Sequence, residues 1–392
     1  MNIDPVTTEV VASRLREAAS SMEHALYHSG YSPILRESKD GTSGLTDADG
    51  RVVMLSGGIQ YHYTSYEQAV QATLARYPKE TLKPGDSFVC NDPYKAGVPH
   101  ASDFCAVTPA FHRGDLIGFG VSLAHKSDIG GIVPGSAGAA ARELYHDGII
   151  FPPVPWNEAT QAIIANNSRV AEVVLGDLRA QVGSTIIGGE KLAALCDEYG
   201  RETVLEVMQR LIAASARRLD HELSQWPDGE AEAEGFLDHD GVNKEQPLRI
   251  RAKVRKTGGR LLIDFTGTSP QGAGPVNVCH TTARAGAIMA VLASCDPTIP
   301  VNAGLNQQID FVFPDGCVVN PRHPATMNLY FPCTHLTYNT VLSALSKMNP
   351  TRAVAPSGLG SGAVTIGYRK ARGGKPADRK STRLNSSHIP LS

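Results

Sequence analysis

Apolar positions recur near a 3.6-residue period over 6–29, where Val10, Leu15, Ala18, Met22 and Ala25 share a face and charged residues fill much of the rest. The pattern predicts a helix that Gly30 stops ahead of Ser32-Pro33. Residues 44–55 change to two short strand-like runs about an Asp49-Gly50 turn. A second helix is expected at about 64–78, with Thr64 or Ser65 as its cap. Three β segments follow at 86–91, 104–112 and 116–125, the last two joined by the hairpin connection Arg113-Gly114-Asp115. Beyond a glycine-rich stretch at 130–138 and the prolines of 152–155, helices are expected at 168–182, 188–199 and 201–223. The last presents Leu205, Met208, Leu211, Ile212, Ser215 and Leu219 on one face.

The pattern changes after Trp226. Residues 227–235 are acidic and read as a turn, and 236–275 are strand-like, with a hairpin signal at Thr257-Gly258-Gly259. Helices near 280–294 and 335–348 complete the reading. The fold class is α+β, with mixed or antiparallel sheets and packed helices. An N-terminal α/β region is expected over 1–226 and a C-terminal one over 227–377. No repeat of 20–50 residues is visible.

Composition narrows the function. Of 392 residues, 42 % are hydrophobic and 19 % charged, and the net charge is −2, which suits a globular protein and argues against a nucleic-acid partner. No apolar run reaches the ~18 residues of a membrane span, and Met1 to Pro5 lacks a signal-peptide pattern, so a cytoplasmic protein is expected. Seven cysteines without a C-x-x-C pair argue for reduced, buried thiols rather than a disulfide framework or a cysteine zinc site.

Two H-x-x-D units carry the chemistry, His100/Asp103 and His125/Asp128. Imidazole with carboxylate is a common donor set for zinc, manganese or iron. If residues 113–115 form a three-residue turn, His112 faces Leu116, Asp103 faces His125 and His100 faces Asp128. Opposed Cβ atoms stand ~5 Å apart, close enough to share one ion. The expected ligands are His100, Asp103 and His125, with Asp128 as a fourth ligand or a group behind them. The alternative is a set of polar residues at strand ends bonded to backbone. Asn91, Asp92 and Tyr94 lie near in sequence, where a substrate contact and a turn-forming Asn-Asp-Pro are equally natural.

Other motifs are weaker. Gly358 to Ala363 matches G-x-G-x-x-A, but a strand-like run follows it, and no G-x-x-x-x-G-K-[ST] exists. Gly120-Val121-Ser122-Leu123-Ala124 approaches a nucleophile elbow but lies inside an apparent strand. His24 and His28 share a helix face without acidic support and read as surface or packing residues.

Asn91-Asp92-Pro93-Tyr94 followed by His100-x-x-Asp103 resembles the N-D-P-Y-x-G-G-T-H-x-x-D motif of the hydantoinase B/oxoprolinase family. Ala124-His125 with Asp128-Ile129-Gly130-Gly131 resembles its A-H-H-x-D-I-G-G. Further similarities lie at Asp4 to Val10, Gly176 to Gln181, Asp264 to Pro270 and Ile299 to Gly304, so that the resemblance runs collinearly over about 4–376. It implies a divalent metal, zinc or manganese, at His100, Asp103 and His125. It also implies a hydantoinase A-type partner subunit that binds ATP and magnesium, in a hetero-oligomer acting on a small molecule. The expected function is the metal-bearing subunit of an ATP-dependent hydrolase of cyclic amides such as hydantoins or 5-oxoproline. The alternatives are the alpha-type subunit of an ATP-dependent ketone carboxylase and an assembly subunit with a structural metal.

The chain departs from the family in three places. Gly97-Val98-Pro99 precedes the first histidine, Lys126 replaces a second histidine, and the run Ala325 to Tyr330 lacks an expected glycine. Lys126 is expected to point to solvent, its alternative being a contact to an anionic intermediate. Residues 378–392 show neither helical nor strand period and read as a non-native, adapter-derived tail.

Overall fold

The computed structural model describes residues 3–57, 59–136, 138–356, 358, 362–366 and 380–384. The first helix, α1 (Pro5–Ser29), starts where the Asp4 carboxylate accepts the Thr7 N–H at 2.9 Å, with proline at its first position. Its buried stripe is Val11, Leu15, Ala18, Met22 and Leu26, rotated slightly from the sequence reading, since Val10 is exposed. After the single turn α2 (Pro33–Arg36) come β1 (Gly41–Thr46), β2 (Val52–Leu55), α3 (Tyr63–Arg76), β3 (Phe88–Cys90), β4 (Asp103–His112), β5 (Asp115–His125) and β6 (Val154–Pro155). These six strands form one sheet in the order β2-β1-β5-β4-β3-β6, antiparallel at every pairing.

The helices α4 (Glu158–Asn167), α5 (Ala171–Tyr199) and α6 (Arg201–Ser224) follow. The sheet alternates in the two-residue period of a strand buried on both faces. Cys105, Val107, Val121 and Leu123 pack with Tyr66, Ala69 and Val70 of α3. Phe104 and Ala106 pack on the other face with Val174, Leu178 and Val182 of α5. The α1 stripe packs with Leu192 and Leu195 of α5 and with Val204, Val207, Met208 and Ile212 of α6.

The sequence predicts two helices across 168–199; the structure has one of 29 residues. Gly176 and Gly188 within it are contact points rather than breaks. A Cβ at Gly188 would stand 2.4 Å from the Met22 sulfur, and one at Gly176 would meet the Tyr31 ring. Across the interface, a Cβ at Gly120 of β5 would reach the backbone oxygen of Thr185 at 2.2 Å.

The second layer holds β7 (Gly229–Leu237), β8 (Leu248–Thr257), β9 (Arg260–Asp264), α7 (His280–Ser294), β10 (Ile309–Val312) and α8 (Phe331–Met348). Its sheet runs β10-β9-β8-β7, parallel only between β10 and β9. The helices α7 and α8 cover it through Ile288, Val291, Leu336 and Val341. The acidic segment expected to be a turn is β7. Ala233 and Leu237 face the core, while Glu230, Glu232 and Glu234 pair with lysine and arginine of β8 on the open face. Small residues on the inner face hid that alternation. Within α6, Leu205 and Leu211 are only half-buried, and Val204, Val207 and Leu223 take the core positions instead.

The strand β11 (Gly362–Ile366) pairs antiparallel with β12 (Lys380–Leu384). That strand lies inside the 378–392 tail, where no strand was expected; the rest of the tail, with Leu359, Gly360 and Ser361 of the glycine motif, lies outside the described residues. Among the described residues no helix is long and apolar enough to cross a membrane.

A glycine at the α5–sheet interface and one on the open side of α5 predict opposite outcomes. Gly120→Ala forces a methyl into the Thr185 backbone and is expected to destabilise the protein by about 2–4 kcal/mol. Gly183→Ala, inside α5 with nothing within 4 Å of the new methyl, should stabilise it by up to about 1 kcal/mol. Chemical denaturation of both variants reads the difference.

Candidate metal centre

Asp103 opens β4 and His125 closes β5, and the two are direct cross-strand partners. The hairpin reaches this register by a route the sequence did not show. Its turn is two residues, Arg113-Gly114, with His112 opposite Asp115. Both turn residues have positive φ, 52° and 92°, as a tight hairpin with matched twist requires. An irregularity after Ala110 then inserts Ile117 as an extra residue, so that Ala110 faces Gly118 and Asp103 faces His125.

His100 arrives from the loop before β4. Its Nε2 is 3.0 Å from His125 Nδ1 and 3.3 Å from Asp103 Oδ2, and His125 Nδ1 is 3.3 Å from Asp103 Oδ1. One donor atom from each of the three lies within 4.8 Å of the others, a grouping that can hold a metal ion. The far nitrogen of His100, Nδ1, is 3.1 Å from the Asn328 carbonyl oxygen. That contact takes the ring proton on Nδ1 and leaves the Nε2 lone pair facing the other donors, the arrangement a metal-binding imidazole needs. Tyr330 lies against the same ring, centroids 5.0 Å apart. The fit of donor chemistry to a divalent ion is therefore good: two imidazoles and a carboxylate converge, and His125 is the most open of the three at 18 % side-chain exposure.

Charge reinforces the geometry. Burial opposes ionisation of Asp103, but His100 and His125 outweigh it and hold the carboxyl well below the usual range. Burial likewise opposes the protonated His100 ring, yet Asp103, Asp40 and the Asn328 carbonyl raise its pKa. Asp40 also accepts the His125 N–H through its carbonyl at 3.1 Å.

The remaining candidates are held by contacts of their own. Asn91 is fully buried and clamps three backbone groups, donating to Ala101 and Ile149 and accepting from Phe151. Asp92 caps a turn through the Tyr94 and Lys95 N–H groups. The Tyr94 hydroxyl donates to the Ala325 and Arg322 carbonyls, tying a distant segment to the loop. Asp128 does not face His100, because β4 starts only at Asp103. Its carboxylate binds Arg169 at 2.9 Å and the N–H groups of Gly130 and Gly135, closing the glycine-rich loop. Burial would raise its pKa, but those bonds lower it.

Lys126 does not reach solvent. It is fully buried, and its Nζ donates to the Ala124 carbonyl at 2.8 Å. Burial pushes its pKa down to about 8 against the opposing charges of Asp177, Asp103 and Asp40. All seven cysteines are buried and free. Ser122 sits inside β5 and donates to the Thr42 carbonyl, so no nucleophile elbow forms. His24 and His28 lie against each other with tilted rings on an exposed helix face.

Sequence reading missed Asp40, Asp147, Thr326 and Asn328. Asp147 accepts from the Thr326 hydroxyl at 2.8 Å and the Asn328 amide at 2.9 Å, and so fixes the segment whose carbonyl holds His100. No local signal marks these residues, since each acts on a group far away in the chain.

The hydantoinase B/oxoprolinase family profile matches residues 4–383. A protein named as the B-type component of a D-/L-hydantoinase, from a Pseudomonas species, is 32 % identical over 383 residues, covering 91 % of this chain and 63 % of that one. The ATP-dependent caprolactamase of Pseudomonas jessenii superposes with a TM-score of 0.83 at 26 % identity, over 90 % of this chain and 62 % of that one. An acetone carboxylase shares the fold, with a TM-score of 0.81 at 18 % identity over 89 % of this chain and 48 % of that one. The chain thus spans about two thirds or less of the length of the proteins it matches.

Asp147 gives a pH-dependent expectation. Burial lifts its pKa from 3.8 to about 6, against the hydrogen bonds of Asn328 and Thr326. A carboxyl raised in the fold favours folding fully below 3.8 and loses that contribution as pH rises through about 6. Ionised Asp147 therefore costs roughly 3 kcal/mol at pH 8. Asp147→Asn should raise the thermal midpoint at pH 8, with the gain shrinking toward pH 4; a gain independent of pH would count against this account.

Proposed function

The chain belongs to the hydantoinase B/oxoprolinase family, and we propose that it is the metal-bearing subunit of an ATP-dependent cyclic-amide hydrolase. The observation that carries the reading is the convergence of His100, Asp103 and His125 at the open end of the β4–β5 hairpin. These residues would hold a divalent ion, zinc or manganese. When bound, such an ion polarises a carbonyl or lowers the pKa of a bound water. The chain's own residues prepare for it. Asp103 is kept ionised by its histidine neighbours, and the Asn328 carbonyl holds the His100 ring with Nε2 inward. Three protein donors leave room for water or a small-molecule substrate.

The nucleotide enters through a second subunit in this reading. The chain has no phosphate-binding G-x-x-x-x-G-K-[ST] loop, and the hydantoinase and caprolactamase relatives are each named as one component of a larger enzyme, the B-type and the beta component respectively. A hydantoinase A-type partner would use ATP and magnesium to activate the amide oxygen. The activated ring would then open beside His125, in a cytoplasmic hetero-oligomer.

Co-purification with the A-type partner, metal analysis and an ATP-dependent turnover screen test the proposal. Hydantoin, 5-oxoproline or caprolactam should be opened only with ATP. His125→Ala should lower bound metal at least tenfold and abolish turnover, whereas Asp128→Asn, outside the triad, should keep its metal. Bicarbonate fixation on a ketone in place of ring opening would instead identify a carboxylase. Turnover that survives in a metal-free His100→Ala complex would reduce the ion to a structural element.

A further inference from the structure

Where α5 crosses β4 and β5, Asp177 and Gln181 of the helix and Lys126, which follows β5, are all fully buried. Asp177 and Gln181 stand one turn apart on α5. Gln181 Nε2 lies over the β4–β5 seam and donates to the Phe104 and Ser122 carbonyls at 2.6 and 2.7 Å. Lys126 Nζ donates to the carbonyl of Ala124, the cross-strand partner of Phe104. The Lys126 ammonium and the Asp177 carboxylate therefore occupy the same seam, and Asp177 is the charge that acts most strongly on Lys126.

Their hydrogen bonding is incomplete in a complementary way. An ammonium has three donors, and Lys126 Nζ uses one. Asp177 Oδ1 accepts the Tyr31 and Ser32 N–H groups, while Oδ2 has no partner. Gln181 Oε1 has none either. Buried charges persist when paired, and buried polar groups are bonded to protein or to ordered water. Asp177 and Lys126 do not approach within ion-pair distance among the described residues, so the link between them is indirect. Two to four polar partners in a closed polar pocket are what an internal water requires.

We propose that internal water bridges Lys126 Nζ to Asp177 Oδ2 and Gln181 Oε1, and that this charged brace positions His125. The brace acts through the backbone. Lys126 follows His125 directly, and its N–H is held by the Ser102 carbonyl at 2.8 Å. Asp177 ties the same point to the link between α1 and α2 through Tyr31 and Ser32. Three chain segments are thereby fixed behind one metal donor. Lys126 and Asp177 are positioning residues in this scheme, since neither belongs to the donor cluster of His100, Asp103 and His125.

The effect on His125 rests on the metal reading above; the water bridge does not. A crystal structure of the unmodified chain should show at least one ordered water bonded to Lys126 Nζ and to Asp177 Oδ2 or Gln181 Oε1. A dry seam, or a Lys126 turned away from Asp177, overturns the bridge. Binding of Co²⁺ to the full chain tests the positioning. Lys126→Met and Asp177→Asn should each weaken cobalt affinity about tenfold and shift the visible spectrum of the bound ion. The double variant, free of an unpaired buried charge, should recover most of both, and Lys126→Arg should stay near the parent. A parent-like affinity and spectrum in Lys126→Met overturns the positioning role. Where a single variant fails to fold, the thermal midpoint of the double variant decides, because recovery requires coupling and additive loss excludes it. A parent chain that binds no cobalt sinks the metal reading and the positioning of His125, and leaves the water bridge to stand on the crystal structure.

Discussion

The register of β4 against β5 is the constraint on which the centre depends. Side chains in a strand alternate between faces, so a shift of one residue moves every group to the opposite side. A two-residue turn alone would set Asp103 opposite Ala124 and send His125 out of step. The extra residue at Ile117 restores the pairing of Asp103 with His125. Register is then held along the strands by packing on both faces, with Cys105 and Leu123 toward α3 and Phe104 toward α5. Asp103 and His125 share the face that the first set defines, and the buried Lys126 follows His125 directly in the chain.

Close approach of α5 to the sheet follows from that same arrangement. Gly120 lets β5 meet the Thr185 backbone, and Gly188 lets α1 seat Met22 on α5. The space opened by small residues is lined with hydroxyls that bond one another. Ser43 with Ser184, and Thr108 with Thr185, satisfy the seam in direct contacts. Toward Lys126 and Asp177 the seam carries fully buried charged side chains. Buried polar groups thus occur both at the middle of the sheet and beside His125.

Much of this was legible in the sequence, for reasons that can be stated residue by residue. Spacing placed His125 and Asp103 together because a hairpin is a local structure with few registers. Helix α7 (His280–Ser294) matched its predicted bounds because its apolar residues and the following Asp296-Pro297 act locally. Reading failed where a residue serves a distant partner. Glycines in α5 looked like breaks because their contacts, Met22 and Tyr31, lie far away in the chain. Lys126 looked solvent-bound because its counter-charge is on another element. Asp128 looked like a donor because continuing the strand backward to His100 ignored the loop that precedes Asp103. The strand β7 was concealed by alanines whose burial only the second sheet reveals.

The hold of Asn328 on His100 spans 228 residues of chain. Tyr94 reaches Ala325, and Asp147 reaches Thr326, over comparable separations. Contacts of such range form late, since the loop they close must lose its freedom before any bond rewards it. During synthesis the hairpin with two donors emerges long before the segment that orients the third. A ribosome-bound chain ending short of that segment can display the histidines but cannot fix the His100 tautomer. The orientation of the His100 ring is therefore timed by chain length, and it is set only once the distant segment carrying Asn328 has docked.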